Sequence, residues 1–140
     1  MCYPNCYVAS VCLGADFNHT IKTLKEAEEH DGPAIVIAYS PCVEHGIKGG
    51  LSCTTKEQEL AVEVGYQLLM RYHAQEEKLY LDSKEPDFSK YEEFLNNETR
   101  YHALKIKDEN LAFELLKINK ENAIKRYQYY QRKSEINVNK

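Results

Sequence analysis

Two short apolar runs, separated by one amphipathic stretch, leave this chain few ways to fold. The first run is Cys6-Tyr7-Val8-Ala9-Ser10-Val11-Cys12-Leu13, and the second is Ala34-Ile35-Val36-Ile37-Ala38-Tyr39. Both are apolar or small on successive positions, the pattern of strands buried on both faces of a sheet. Between them, Gly14 ends the first run, and Asp16 or Asn18 can accept a hydrogen bond from a free first-turn N–H. Phe17, Ile21, Leu24 and Ala27 then recur at helical spacing, with Lys and Glu between them, until Asp31-Gly32-Pro33 stops the helix. Strand, helix and strand make a β-α-β unit, whose crossover is long enough for parallel pairing and right-handed. The fold class that follows is α/β: a partial parallel sheet with a helical C-terminal extension.

The first strand is expected to lack some of its neighbours. A chain opening Met1-Cys2-Tyr3-Pro4-Asn5 enters that strand almost at once, so Met1 reads as an internal methionine. An unpaired strand edge can pair with another copy, so self-association is expected. After the second strand comes a glycine-rich turn over residues 46–50. Thr54 and Glu57 have capping-box spacing at the head of another helix, with Leu60, Ala61 and Val64 on its apolar side and Gly65 as its stop. Tyr66 to Tyr72 and Lys78 to Asp82 read as two further strands. The remainder is helical, with a polar end from Ser134 to Lys140 that is expected to fray. The division drawn is 1–65 for the β-α-β part and 66–140 for the extension.

Composition narrows the function. At 140 residues the chain suits one compact domain. A net charge of −4, with no clustered basic surface, argues against nucleic acid. The one basic-leaning stretch, Lys117 to Lys133, is interleaved with acids and tyrosines and reads as the outer face of a helix. No segment approaches the roughly 18–20 apolar residues of a membrane span. Five cysteines among strand-like residues fit a reducing cytoplasm better than a disulfide scaffold.

Chemistry concentrates beyond the carboxyl ends of the two parallel strands, where ligands bind in open sheets. Cys42 stands there, directly after a strand and a proline. A thiolate at that place could ligate iron or zinc or act as a nucleophile, although one cysteine holds no metal alone. Glu44 and His45 follow it, but near neighbours in a turn rarely aim at one another, so no Cys–His pair is expected. Cys2 and Cys6, spaced CxxxC, read as packing. Cys12 reads as inert core, and Cys53 as incidental at a helix start. His19, His30, His73 and His102 have no ligand spacing and read as surface positions. The glycines at 46–50 do not follow the phosphate-loop pattern.

These residues resemble a known family. Tyr7-Val8-Ala9-Ser10-Val11, Leu13-Gly14-Ala15 and Asn18 are similar to a late strand and helix cap of the thiamine-diphosphate domain in pyruvate:ferredoxin (flavodoxin) oxidoreductases. Ile35-Val36-Ile37-Ala38-Tyr39-Ser40-Pro41-Cys42-Val43-Glu44-His45-Gly46 resembles that family's segment I-I-A-Y-[AS]-P-C-x-x-H-G. The similarity continues, in order, through Gly65-Tyr66, Leu81-Asp82-Ser83-Lys84-Glu85-Pro86, Arg100-Tyr101 and Lys125-Arg126-Tyr127.

The resemblance implies a fragment of a thiamine-diphosphate-binding fold. It implies a parent reaction that oxidatively decarboxylates pyruvate to acetyl-CoA, passing electrons through [4Fe-4S] clusters to ferredoxin or flavodoxin. It implies Cys42 as one ligand of a [4Fe-4S] cluster in the full-length context. The other three ligands, and the G-D-G…N motif that holds magnesium and the diphosphate, would come from elsewhere in the polypeptide, which is then the chain's main partner. Such a fragment alone is expected to be inactive. Two rival readings stand beside it: a standalone α/β interaction protein or degenerate gene product without catalysis, and a small redox or metal-binding protein using its own cysteines.

Overall fold

The computed structural model describes residues 5–136. The order is β1 (Tyr7–Val11), α1 (Phe17–Glu29), β2 (Ala34–Ala38), α2 (Thr54–Glu63), β3 (Met70–His73), β4 (Lys78–Leu81), α3 (Tyr91–Asn97), α4 (Thr99–Lys107) and α5 (Glu109–Glu135). The fold is α/β with a helical C-terminal extension, consistent with a fragment of a thiamine-diphosphate-binding fold. The four strands form one mixed sheet in the order β2-β1-β3-β4. β1 and β2 run parallel, with Tyr7 opposite Ala34 and Val11 opposite Ala38, as a β-α-β unit requires. β3 pairs antiparallel to β1 from Tyr7↔His73 to Ser10↔Met70, and β4 returns beside it as a hairpin.

This topology corrects two expectations. β1 is not short of neighbours: β2 and β3 flank it, and Tyr7, Ala9 and Val11 are buried. β2, which had read as a buried strand, is an edge strand of the sheet. Ile35 and Ile37 are 52% and 54% exposed. They sit in register with Val8 and Ser10 of β1, so they share one face of the sheet, and at β2 that face stands open.

Helix α1 is capped as its sequence suggests, with Asp16 Oδ1 accepting from the His19 N–H at 2.7 Å. Its orientation is the less obvious feature. Thr20 and Thr23 are buried, while Phe17, at 62%, Ile21 and Leu24 are exposed. The apolar stripe points outward because the sheet-facing side carries polar partners for Arg71. The Arg71 guanidinium on β3 is buried. It donates through Nε and Nη2 to Asp82, at 2.9 and 2.8 Å, and through Nη1 to Glu26 of α1, at 2.7 and 3.0 Å. The Tyr7 hydroxyl donates to the same Glu26 at 2.9 Å, and His19 Nε2 lies 3.1 Å from Asp82. The His19 ring is therefore packed inside, not at the surface as its sequence setting suggests.

The head of α2 also differs from its sequence reading. Thr54 and Glu57 do not form a capping box. The Thr54 hydroxyl donates back to the Leu51 carbonyl at 2.7 Å across a 3₁₀ turn (Leu51–Cys53), and Glu57 turns inward. Gly65 stops the helix as expected, at φ +71°, a left-handed conformation that favours glycine. Around it, Ala61, Val64, Tyr91, Phe94, Leu95 and Ala123 build a hydrophobic core that joins α2, α3 and α5. α5 runs on through Ser134 to Glu135. Among the described residues, no helix is long and apolar enough to cross a membrane.

Two predictions follow from this architecture. Arg71→Ala leaves two carboxylates without their buried cation, and about 3–5 kcal/mol of stability is expected to be lost in urea unfolding at neutral pH. Burial alone would raise the Asp82 carboxyl, but hydrogen bonds from His19 and Arg71 outweigh it and hold Asp82 at about 2. Its share of the stability is therefore complete above the ordinary value of 3.8 and lost as pH falls towards about 2. The second prediction concerns the open edge. Light scattering across a concentration series should show the isolated chain associating, and Ile35→Lys with Ile37→Lys should shift that onset to higher concentration. A wild-type chain that stays monomeric throughout would contradict it.

Candidate functional site

The loop after β2 is built as a short, pinned turn. Pro41 is buried and Cys42 half-buried. The Gly46 N–H donates to the Cys42 carbonyl at 2.9 Å, closing residues 42–46 into one turn. Gly46 completes it at φ +74°, where a side chain would be strained. Cys42 and His45 consequently end up on the same side. The Cys42 Sγ and His45 Nδ1 are 3.1 Å apart. The turn thus makes the Cys–His contact that sequence spacing alone argued against. The His45 backbone N–H, then its ring, then the Glu44 backbone N–H hold the Cys42 thiol below its ordinary range, so the thiolate is favoured.

The loop is tied to the helical extension at the junction of α3 and α4. The Thr99 N–H donates to the Gly46 carbonyl at 3.3 Å, and the Lys48 N–H donates to the Asn97 carbonyl at 2.7 Å. Between them Ile47 is buried and bridges to Glu98. Glu98 is 0% exposed, a rare place for a carboxylate unless it is paired. The Tyr39 hydroxyl donates to its Oε1 at 2.9 Å, and Arg100 Nε forms an ion pair with Oε2 at 3.3 Å. Burial first, then the bond to Glu98, pushes the Tyr39 hydroxyl well above its ordinary range, so it stays a donor.

Glu57, 4% exposed, stands under the same loop. Its Oε2 accepts from Asn97 Nδ2 at 3.1 Å, while its Oε1 has no hydrogen-bond partner among the described residues. Burial pushes its carboxyl up to about 7. The Asn97 bond opposes that rise, and the negative charges of Glu98 and Glu93 add to it.

The other cysteines lie apart from this site. Cys6 and Cys12 are buried with β1, and burial pushes the Cys12 thiol up to about 11. Cys53 donates weakly to the Gly49 carbonyl at 3.7 Å. Cys2 lies outside the described residues. Among the described residues, no group of three or more His, Cys, Asp or Glu side chains gathers as a metal site. Tyr39, Glu57, Asn97 and Glu98 were not singled out from the sequence as site residues. Glu57 carried a signal, but its spacing from Thr54 gave it to a helix cap.

An α/β module with an exposed thiolate-favouring loop, braced by its own helical extension, is the class that this fold and site define. No protein-family model matches the chain. Individual relatives are close. It is 42% identical over 137 residues to "Pyruvate-flavodoxin oxidoreductase" of Klebsiella pneumoniae, covering 94% of this chain and 12% of that protein. It is 40% identical over 140 residues to "Pyruvate:ferredoxin oxidoreductase" of Moorella thermoacetica, covering 96% of this chain and 12% of that protein. It is 41% identical over 136 residues to the pyruvate-flavodoxin oxidoreductase of Trichormus variabilis, covering 94% and 11%. The chain is therefore a homologue of one segment of the pyruvate-flavodoxin and pyruvate:ferredoxin oxidoreductases, and it spans about 12% of the length of the curated relatives it matches.

The carboxyl beneath the loop gives a pH prediction. A folded-state value raised to about 7 means that the folded chain holds a proton which the unfolded chain releases, so stability from this group falls as pH rises from the ordinary 4.5 through 7. Glu57→Gln is expected to stabilise the protein by about 2 kcal/mol more at pH 8 than at pH 5. Urea unfolding at protein concentrations below self-association measures it. An equal effect at both pH values would contradict the buried proton.

Proposed function

We propose that this chain is the end of the thiamine-diphosphate-binding domain of a pyruvate:ferredoxin or pyruvate-flavodoxin oxidoreductase, and that its loop lends Cys42 as one ligand to a [4Fe-4S] cluster. The enzyme so assembled converts pyruvate to acetyl-CoA by oxidative decarboxylation in the reducing cytoplasm, with ferredoxin or flavodoxin as acceptor. Thiamine diphosphate and magnesium bind through other parts of the same polypeptide. The observation that carries this reading is the Cys42 turn itself. Its thiol is drawn towards the thiolate that iron requires, and its carbonyl is locked by the Gly46 N–H.

The residues present fit the role of one ligand. Cys42 is a soft donor on a fixed backbone, and among the described residues no group of three or more metal-ligating side chains gathers around it, so in this reading the remaining thiolates come from other segments. A bound cluster would supply one-electron transfer chemistry, with Cys42 as the residue of this chain that would hold it. Pro41 and the buried Ile47 seat the loop, and the α3–α4 junction stops it from shifting as the partner ligands close in. The outward apolar stripe of α1 and the open face of β2 support the same reading, because both suit a module that the rest of a long polypeptide covers.

The test uses a full-length oxidoreductase carrying this segment. Cys42→Ala should lose the iron and sulfide of one cluster, and pyruvate-dependent viologen reduction should fall at least about tenfold. Wild-type iron content and electron transfer in that variant would sink the assignment.

A further inference from the structure

The contact between His45 and Cys42 has a chemical direction once the sulfur is ligated. A thiolate bound to iron has lone pairs and no hydrogen, so it can only accept. Imidazole Nδ1 can then meet it in one way, carrying the proton and donating it. The Nδ1–Sγ separation is 3.1 Å, between residues that the turn brings to one side. Residues 42–46 are closed by the Gly46 N–H on the Cys42 carbonyl, and the Thr99 N–H on the Gly46 carbonyl holds the turn from outside. His45 is exposed, and the hydrogen bond of its ring is the one to Cys42 Sγ.

We infer that His45 is a positioning residue for the cluster: its Nδ1–H donates to the ligated Cys42 Sγ and raises the cluster's reduction potential. The inference rests on the reading of Cys42 as a ligand. The reduced cluster carries one more negative charge, spread partly over its ligand sulfurs. A donor fixed against one of those sulfurs therefore stabilises the reduced form more than the oxidised form. It also holds the ligand in one rotamer, as outer partners of metal ligands do.

The experiment uses the full-length holoenzyme, purified anaerobically, with His45→Leu, His45→Gln and Cys42→Ala compared with wild type. Iron and sulfide are assayed, and the midpoint potential of the cluster absent from Cys42→Ala is read by paramagnetic resonance during a dithionite titration. His45→Leu should keep its iron while its reduction equilibrium shifts about tenfold towards the oxidised cluster, which is about 59 mV for a one-electron couple. His45→Gln keeps an N–H donor and should stay within about threefold of wild type. Full iron with an unchanged potential in His45→Leu overturns the donor bond and leaves the Cys42 ligand standing. Full iron in Cys42→Ala overturns both. If His45→Leu fails to assemble its cluster, His45→Gln decides. Full iron with a potential near wild type upholds the bond, and any other result overturns it.

Discussion

One buried cation determines how the elements of the sheet meet. Arg71 enters from β3 with its charge already out of water, and a charge in that position is tolerable only with carboxylates around it. Asp82 comes from the end of the hairpin and Glu26 from the third turn of α1. Tyr7 adds its hydroxyl from β1. The cation thus fixes three things together: the side of the sheet on which α1 lies, the face that α1 presents, and the pairing of a hairpin some sixty residues downstream with the first strand. Burial lowers the apparent value of such a pair as a source of stability. Its worth here is in specifying an arrangement that apolar packing alone would not choose.

That arrangement has a visible cost. With Thr20, Thr23 and Glu26 turned to the sheet, Phe17, Ile21 and Leu24 face water, and Ile35 and Ile37 are exposed on the open strand. A chain optimised to stand alone would reverse the helix or cover the strand. The chain corresponds to about 12% of the length of a relative it matches, and a segment of the longer polypeptide proposed above has no such need. The polar inner face of α1 orients the module, and its apolar outer face is the one that the proposed longer polypeptide would cover.

Much of this was legible in the sequence, and the misses share a cause. The strand–helix–strand unit, the stop at Gly65 and the long last helix follow from local period and turn chemistry. The segment ending at Tyr72 was recognisable as a strand, but its partner was not, because an antiparallel pairing with β1 leaves no local trace. The stripe on α1 was legible too, but its direction was not, because spacing marks a face without saying what it meets. At the site, Cys42 stood out by position and resemblance. Its contact with His45 depends on the turn that Gly46 closes, and a glycine after an i, i+3 pair was the one available signal. Glu98 and Asn97 gave none. They matter through backbone and burial beneath a loop some fifty residues earlier in the chain.

The helical extension acquires a role from those last contacts. Its α3–α4 junction offers the backbone of Asn97 and Thr99 to Lys48 and Gly46, and buries Glu98 where the Tyr39 hydroxyl at the end of β2 can reach it. The loop that carries Cys42 is therefore clamped between its own strand and a helix pair from the far end of the segment. Moving α3 would pull on residues 46–48, and through the Gly46 hydrogen bond on Cys42 itself. Relatives match this chain across 86–96% of its length rather than over the motif alone, as expected if the loop and its brace are one unit. In the ligand role proposed for Cys42, the thiolate would keep its place only as firmly as the backbone beneath it is held, and the backbone contacts of Asn97 and Thr99 supply that hold.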